Sequence, residues 1–101
     1  MIRNVVMGRL REAADEESAR RDHEQLARAL TGIAALRYPG LVEHRIGPDA
    51  GLREGGWSFA ITNDWADADA YRVYDADPEH GALRAQIAEV CAQLARVQIE
   101  V

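Results

Sequence analysis

Apolar and polar positions along the chain predict four β-strands. The predicted strands are Ile2–Leu10, Leu41–Gly47, Trp57–Trp65 and Ala95–Val101. In the first strand, Val6 is on one face, while Val5 and Met7 are on the other. Because both faces carry apolar side chains, this strand is expected to be buried on both sides. The glycine- and proline-rich stretch from 48 to 56 is expected to be a loop.

A long helix is predicted between the first two strands, over Asp15–Leu36. Its apolar face recurs at steps of three and four and consists of His23, Leu26, Leu30 and Ile33. Acidic residues at its start suit the positive end of the helix dipole. Pro39 and Gly40 end the helix.

Two shorter helices are predicted between the third and the last strand. The first begins at Asp67 and carries Tyr74. Asp77 followed by Pro78 is typical of a helix N-cap with proline in the first turn, so a second helix begins there. Its apolar spacing predicts that it runs through Leu94.

This order of elements predicts a single α+β domain over residues 1–101. A four-stranded antiparallel sheet with helices on one face, the ferredoxin-like arrangement, satisfies it. The helices cover only one face, so the face carrying Val5 and Met7 needs another cover. A second copy of the same sheet is the simplest one, which predicts a homodimer formed through the sheet faces.

Composition excludes several classes of protein. The net charge is -5 and the 12 basic residues, all arginine, are scattered, which argues against a nucleic-acid binder. Cys91 is the single cysteine, so neither an internal disulfide nor a cysteine-based metal site is possible, and we expect it to be a small core residue. His23 and His44 lack a third ligand at suitable spacing, so no metal site is predicted. Without a signal peptide or a membrane-length apolar run, we expect a soluble cytoplasmic protein.

Tyr74 and His80 form the candidate catalytic pair. His80 falls in the first turn of a predicted helix, where the dipole disfavours imidazolium and favours the neutral ring that a general base needs. A tyrosine hydroxyl within reach can orient a carbonyl or stabilise an enolate. The alternative is structural: His80 packs or caps the helix start and Tyr74 fills core.

A ligand-binding cavity is predicted between the helices and the sheet. By strand alternation, Asn4 and Phe59 can face the same helices as the pair. Asn4 is a polar residue on an otherwise apolar strand face. Trp57 and Tyr71 would add apolar walls that suit an aromatic or acyl ligand.

Five segments carry a resemblance to a known family. They are Ile2–Val6, Pro39–Leu41, Gly56–Trp65, Tyr74–His80 and Val97–Val101. The fourth is similar to the pattern Y-x-x-H-P-x-H of the stress-responsive A/B barrel family, also called dimeric α/β barrel proteins. The resemblance implies a homodimer whose sheets pack face to face into a barrel, with the helices outside.

The resemblance also bears on function. One branch of the family, plant olivetolic acid cyclase, closes a linear polyketide without a cofactor, using a tyrosine and a histidine that Tyr74 and His80 match. Asn4 and Phe59 stand where that branch carries further histidines, and Asp77 replaces the first histidine of the pattern. We therefore expect a cofactor-free barrel that binds a small apolar or aromatic ligand. The alternative is a polyketide cyclase-like or monooxygenase-like enzyme that uses His80 and Tyr74.

Overall fold

The computed structural model describes residues 1–101 and confirms the predicted fold class. The elements are β1 (Ile2–Leu10), α1 (Glu16–Ala35), β2 (Leu41–Pro48), β3 (Phe59–Trp65), α2 (Ala68–Ala76), α3 (Pro78–Val90) and β4 (Cys91–Glu100). The strands form one antiparallel sheet in the order β2-β3-β1-β4. None of the helices is long and apolar enough to span a membrane.

An aspartate N-cap begins each of the three helices. The side chains of Asp15, Asp67 and Asp77 accept hydrogen bonds from backbone N–H groups three residues on, at 2.7, 2.9 and 3.3 Å. Such caps satisfy N–H groups that have no partner within the helix. Asp77 also ends α2, because its own N–H donates to the Tyr74 carbonyl. The chain therefore turns sharply there and brings Tyr74 and His80 together.

The core lies between the helices and the inner face of the sheet. Its buried hydrophobic residues are Leu26, Ala29, Leu30, Ile33, Leu36, Phe59, Ile61, Trp65, Tyr74, Ile87 and Val90. Gly8 on β1 leaves the space that the Phe59 ring fills, since a Cβ at position 8 would overlap that ring. Large side chains from β3 thus fill the sheet–helix space next to Gly8, and Ile2, Val6 and Leu10 of β1 pack against the same core.

The predicted extent of the last helix was wrong. The helix α3 ends at Val90, and both Cys91 and Leu94 belong to β4. Leu94 lies opposite Gly8 in the antiparallel pairing, so β4 continues along the whole of β1. Cys91 is half-buried and its burial raises the pKa of the thiol. The cysteine is therefore a packing residue at the start of a strand.

One residue of the predicted face of α1 is not part of the buried side of the helix. His23 is exposed, and its neighbour Asp22 is buried. Asp22 accepts two hydrogen bonds from the Arg11 guanidinium, at 2.9 and 3.0 Å. The bidentate pair satisfies the carboxylate and lowers its pKa, which makes burial of an acid tolerable.

The outer face of the sheet is not covered by any element of the chain. Met7, Val97 and Ile99 are 41%, 52% and 45% exposed on that face. Val5 lies opposite Val97 across the strands, so these side chains are contiguous. An apolar surface of this kind on a sheet calls for a partner surface.

Candidate functional site

A row of four polar side chains crosses the inner face of the sheet. His44 on β2 lies opposite Asn63 on β3, which lies opposite Asn4 on β1, which lies opposite Gln98 on β4. Gln98 donates to Asn4 Oδ1 at 2.9 Å, and Asn4 donates to Asn63 Oδ1 at 3.1 Å. The row therefore connects through hydrogen bonds beneath the helices.

Asn63 uses all four of its hydrogen-bonding positions and so has one possible orientation. Its amide nitrogen donates to Tyr74 Oη at 3.2 Å and to His44 Nδ1 at 3.4 Å. Its oxygen accepts from Trp65 Nε1 at 2.8 Å and from Asn4 Nδ2. The residue is 1% exposed, so these bonds compete with no bulk water. Asn63 thus fixes what the tyrosine oxygen can do.

His44 is held neutral at the β2 end of the row. Its Nε2 lies 3.1 Å from the Leu36 carbonyl, which can only accept, so Nε2 carries the ring proton. Nδ1 then has the lone pair that receives the Asn63 amide. Burial lowers the pKa of His44, which agrees with a neutral ring.

Tyr74 is a buried phenol whose oxygen already accepts one hydrogen bond. The side chain is 2% exposed, and burial raises its pKa to about 12, against the opposing effect of the Asn63 bond. At physiological pH the hydroxyl is therefore protonated. Because Asn63 occupies an acceptor position of the oxygen, the hydroxyl proton remains for donation to another acceptor.

The His80 ring stacks on Tyr74, with centroids 3.9 Å apart and planes at 20°. Its Nδ1 lies 2.9 Å from the Tyr74 carbonyl, which accepts, so Nδ1 carries the proton of the neutral ring. Burial lowers the pKa of His80, despite the opposing effect of that hydrogen bond. Nε2 consequently has a lone pair, the state that a general base requires.

A cavity of about 40 Å³ lies beside this pair. Its wall includes Asn4, Tyr71, Tyr74 and His80, with Arg84 and Arg96 on the solvent side. His80 Nε2 has no hydrogen-bond partner in the protein. Every side-chain nitrogen or oxygen that is fully shielded from solvent has a partner, so Nε2 is not fully shielded. Nε2 is therefore accessible along the cavity wall.

Two of the predicted ligand-binding residues lie elsewhere. The Phe59 ring packs beneath Gly8 in the core. Trp57 precedes β3 and lines a separate open groove of about 750 Å³ between α1 and the β2–β3 loop. The Arg9 guanidinium lies 4.7 Å above its ring. The structure thus brings together Asn4, Tyr71, Tyr74 and His80 but not Trp57 or Phe59.

Asp77 serves the helix start. Its carboxylate accepts from Tyr38 Oη at 2.7 Å as well as from the His80 backbone N–H, and these bonds lower its pKa, the Tyr38 bond most. No cluster of three or more His, Cys, Asp or Glu side chains in the chain is placed to hold a metal ion.

Asn63 and Gln98 are site residues that the sequence interpretation did not single out, and it considered His44 only as a metal ligand. Each is a polar residue at an inner-face position of its strand. Alternation within a strand gives the face of a residue, but only the register between strands shows that the three align with Asn4.

The buried His80 and the half-buried His44 predict a pH-dependent stability. Their pKa values are lowered on folding, so below about pH 6.5 the unfolded chain binds protons that the folded chain does not. The free energy of unfolding should therefore fall as pH decreases from 7.5 to 5.5. Urea unfolding across this range measures it, and His80→Gln should flatten the slope.

The carboxylates act in a different pH window. Asp22, Asp64 and Asp77 have pKa values lowered from 3.8, so their contribution to stability is lost only at pH values below about 4.

The matched control for His80→Gln is His23→Gln, which replaces an exposed histidine. A stability that is flat between pH 7.5 and 5.5 in the wild type would contradict neutral burial of the two histidines.

Solved structures share this fold. A dimeric ferredoxin-like protein of unknown function from Thermobifida fusca is 31% identical, with a TM-score of 0.80 over 99% of this chain and 90% of that one. Passiflora edulis hydroxynitrile lyase is 13% identical, with a TM-score of 0.73 over 99% and 92%. A mutant of SnoaB, a cofactor-independent oxygenase from Streptomyces nogalater, is 19% identical, with a TM-score of 0.69 over 99% of this chain and 91% of that one.

Among curated proteins, none matches this chain. The Stress Responsive A/B Barrel Domain family matches residues 2–101, nearly the whole chain. The match agrees with the predicted resemblance and with the observed sheet order. The chain therefore belongs to the stress-responsive A/B barrel (Dabb) family.

Proposed function

We propose that this protein is a homodimeric small-molecule-binding domain whose ligand occupies the cavity beside Tyr74 and His80. One observation carries the proposal: Asn4, Tyr74 and His80, from three different elements, converge on the same cavity within a packed core. Concave sites with few polar groups and mostly apolar walls are typical of small-molecule binding. Ile61, Ile87 and Leu94 provide such walls here.

The size of the cavity limits the ligand. About 40 Å³ accommodates roughly one water molecule. A larger ligand therefore needs one wall to move. The solvent-side wall of Asp75, Arg84 and Arg96 consists of exposed side chains, which change rotamer more readily than the buried aromatic wall. The ligand would enter there and reach Tyr74 with its apolar or carbonyl end.

The outer face of the sheet supports the homodimer. Met7, Val97 and Ile99 form its exposed apolar centre, and a two-fold pairing of such faces would bury them on both copies. The Thermobifida fusca relative is described as dimeric. The helices and the cavity would then lie on the outside of the dimer.

A second function, cofactor-free proton abstraction, is favoured by the tautomer of His80. Nε2 would take a proton from the carbon next to a carbonyl, and the C–H electron pair would move into an enolate. The Tyr74 hydroxyl would donate to the enolate oxygen, and Nε2 would later return the proton. The Passiflora protein is described as a hydroxynitrile lyase and SnoaB as a cofactor-independent oxygenase, so this fold supports catalysis elsewhere and, in SnoaB, catalysis without a cofactor.

The test is a screen of polyketide-like and phenolic ketones by NMR, with the His80 ring resonances as the reporter. In deuterium oxide the same samples report exchange of the acidic C–H. We expect His80→Ala and Tyr74→Phe to lower the exchange rate by about 10²-fold or more. His23→Ala lies outside the cavity and serves as the matched control.

The screen distinguishes ligand binding from catalysis. If compounds perturb His80 but exchange is unchanged in both variants, the domain binds without catalysis. If no compound in the screen perturbs the cavity residues, small-molecule binding at this site is contradicted.

A further inference from the structure

Two arginines from different elements border the cavity on its solvent side. Arg84 lies on α3, and Arg96 lies on the edge strand β4. Arg96 pairs across the strands with Val6, whose side chain also lines the cavity, so both belong to the helix-facing side of the sheet.

The charges at this border do not balance. Arg84 forms an ion pair with Asp75 at 3.0 Å. Arg96 makes no hydrogen bond and no ion pair with the chain, although the protein as a whole has a net charge of -5. Two guanidinium groups and one carboxylate therefore line the cavity, with one positive charge in excess.

The charges of both arginines act on the pKa of Tyr71. Burial raises the pKa of its hydroxyl and Asp75 adds to that effect, whereas the charges of Arg96 and Arg84 oppose it. Both guanidinium groups therefore lie within electrostatic reach of one hydroxyl at the cavity wall. A negative group on a ligand would meet Arg96, Arg84 and the Tyr71 hydroxyl as donors.

We propose that the cavity selects organic carboxylates, with Arg96 as the residue that binds the carboxylate group. The inference rests on the proposed small-molecule site and adds the class of ligand. The planar guanidinium matches a carboxylate with two parallel hydrogen bonds, and its N–H groups are not used within the chain. The opposite end of the ligand, apolar or carrying a ketone, reaches Tyr74 and His80.

The test compares 4-oxopentanoate with its methyl ester, which keeps the ketone and the length but removes the charge. Dissociation constants come from NMR titrations of the wild type, Arg96→Gln and Arg45→Gln. Arg45 is an exposed, ion-paired arginine away from this cavity, so its variant is the matched control. The wild type and the control should bind the acid at least about tenfold more tightly than the ester.

In Arg96→Gln, we expect the preference for the acid to disappear while the affinity for the ester stays within about twofold. Equal affinities for acid and ester in the wild type would overturn charge selection and leave small-molecule binding intact. A preference that persists in Arg96→Gln would overturn the role of Arg96. Failure of both compounds to perturb His80 would contradict the carboxylate proposal. Whether the cavity binds small molecules at all is tested separately by the wider ketone screen.

Discussion

Replacing Asn63 by leucine is expected to lower the free energy of unfolding by at least about 3 kcal/mol. The side chains have similar size, but leucine leaves three buried groups without their partner, namely the Tyr74 oxygen, Trp65 Nε1–H and the Asn4 amide. It also removes the partner of His44 Nδ1, which is half-buried. Each such group costs roughly 1–3 kcal/mol when it remains buried. Urea unfolding at fixed protein concentration measures the loss, because self-association links stability to concentration.

Gln25→Leu is the matched control for the leucine variant. Gln25 lies on α1, on the helix side of the molecule, and its amide donates to the Gln86 carbonyl at 2.9 Å at an exposed position. Its loss should cost about 1 kcal/mol or less. A cost for Asn63→Leu no larger than that of the control would mean that the polar row is not needed for the fold.

Replacing Val97 by aspartate is expected to convert the proposed dimer into a monomer at micromolar concentration. A two-fold interface brings the same position in from both copies, so it would bury two unpaired carboxylates. Burial of an unpaired charge costs several kcal/mol, which corresponds to a dissociation constant raised by at least about 10²-fold. Sedimentation velocity of the two proteins measures the change.

The matched control is Val73→Asp. Val73 is 59% exposed on α2, against 52% for Val97, but it lies on the helix side of the molecule. This variant should remain dimeric. Dimers of Val97→Asp as stable as those of the wild type, or a wild type that is monomeric, would contradict association through the outer sheet face.

The regular parts of the fold could be predicted because local chemistry determines them. Asp77-Pro78 specifies a helix start by capping and by the fixed φ of proline, whatever surrounds it. Alternation in β1 likewise gives the two faces of a strand. The end of α3 could not be predicted, because Cys91 and Leu94 fit helical spacing equally well. Pairing of Leu94 with Gly8, a contact between residues far apart in sequence, decides for a strand.

The candidate site shows the same division. Tyr74 and His80 could be found because the chain itself brings them together across one turn. Asn63 and His44 depend on strand register, which the sequence pattern does not supply. Phe59 faces the helices as predicted from alternation, but its ring fills the space that Gly8 leaves in the core and does not line the cavity.

The central claim is that the His80 ring is neutral and that its Nε2 is available to a ligand. Long-range ¹H–¹⁵N NMR of the imidazole rings measures the tautomer and the pKa of His80 directly. We expect the proton on Nδ1, an unprotonated Nε2 at pH 7 and a pKa below 6.5. A His80 ring that is protonated at pH 7, or that carries its proton on Nε2, would contradict the account.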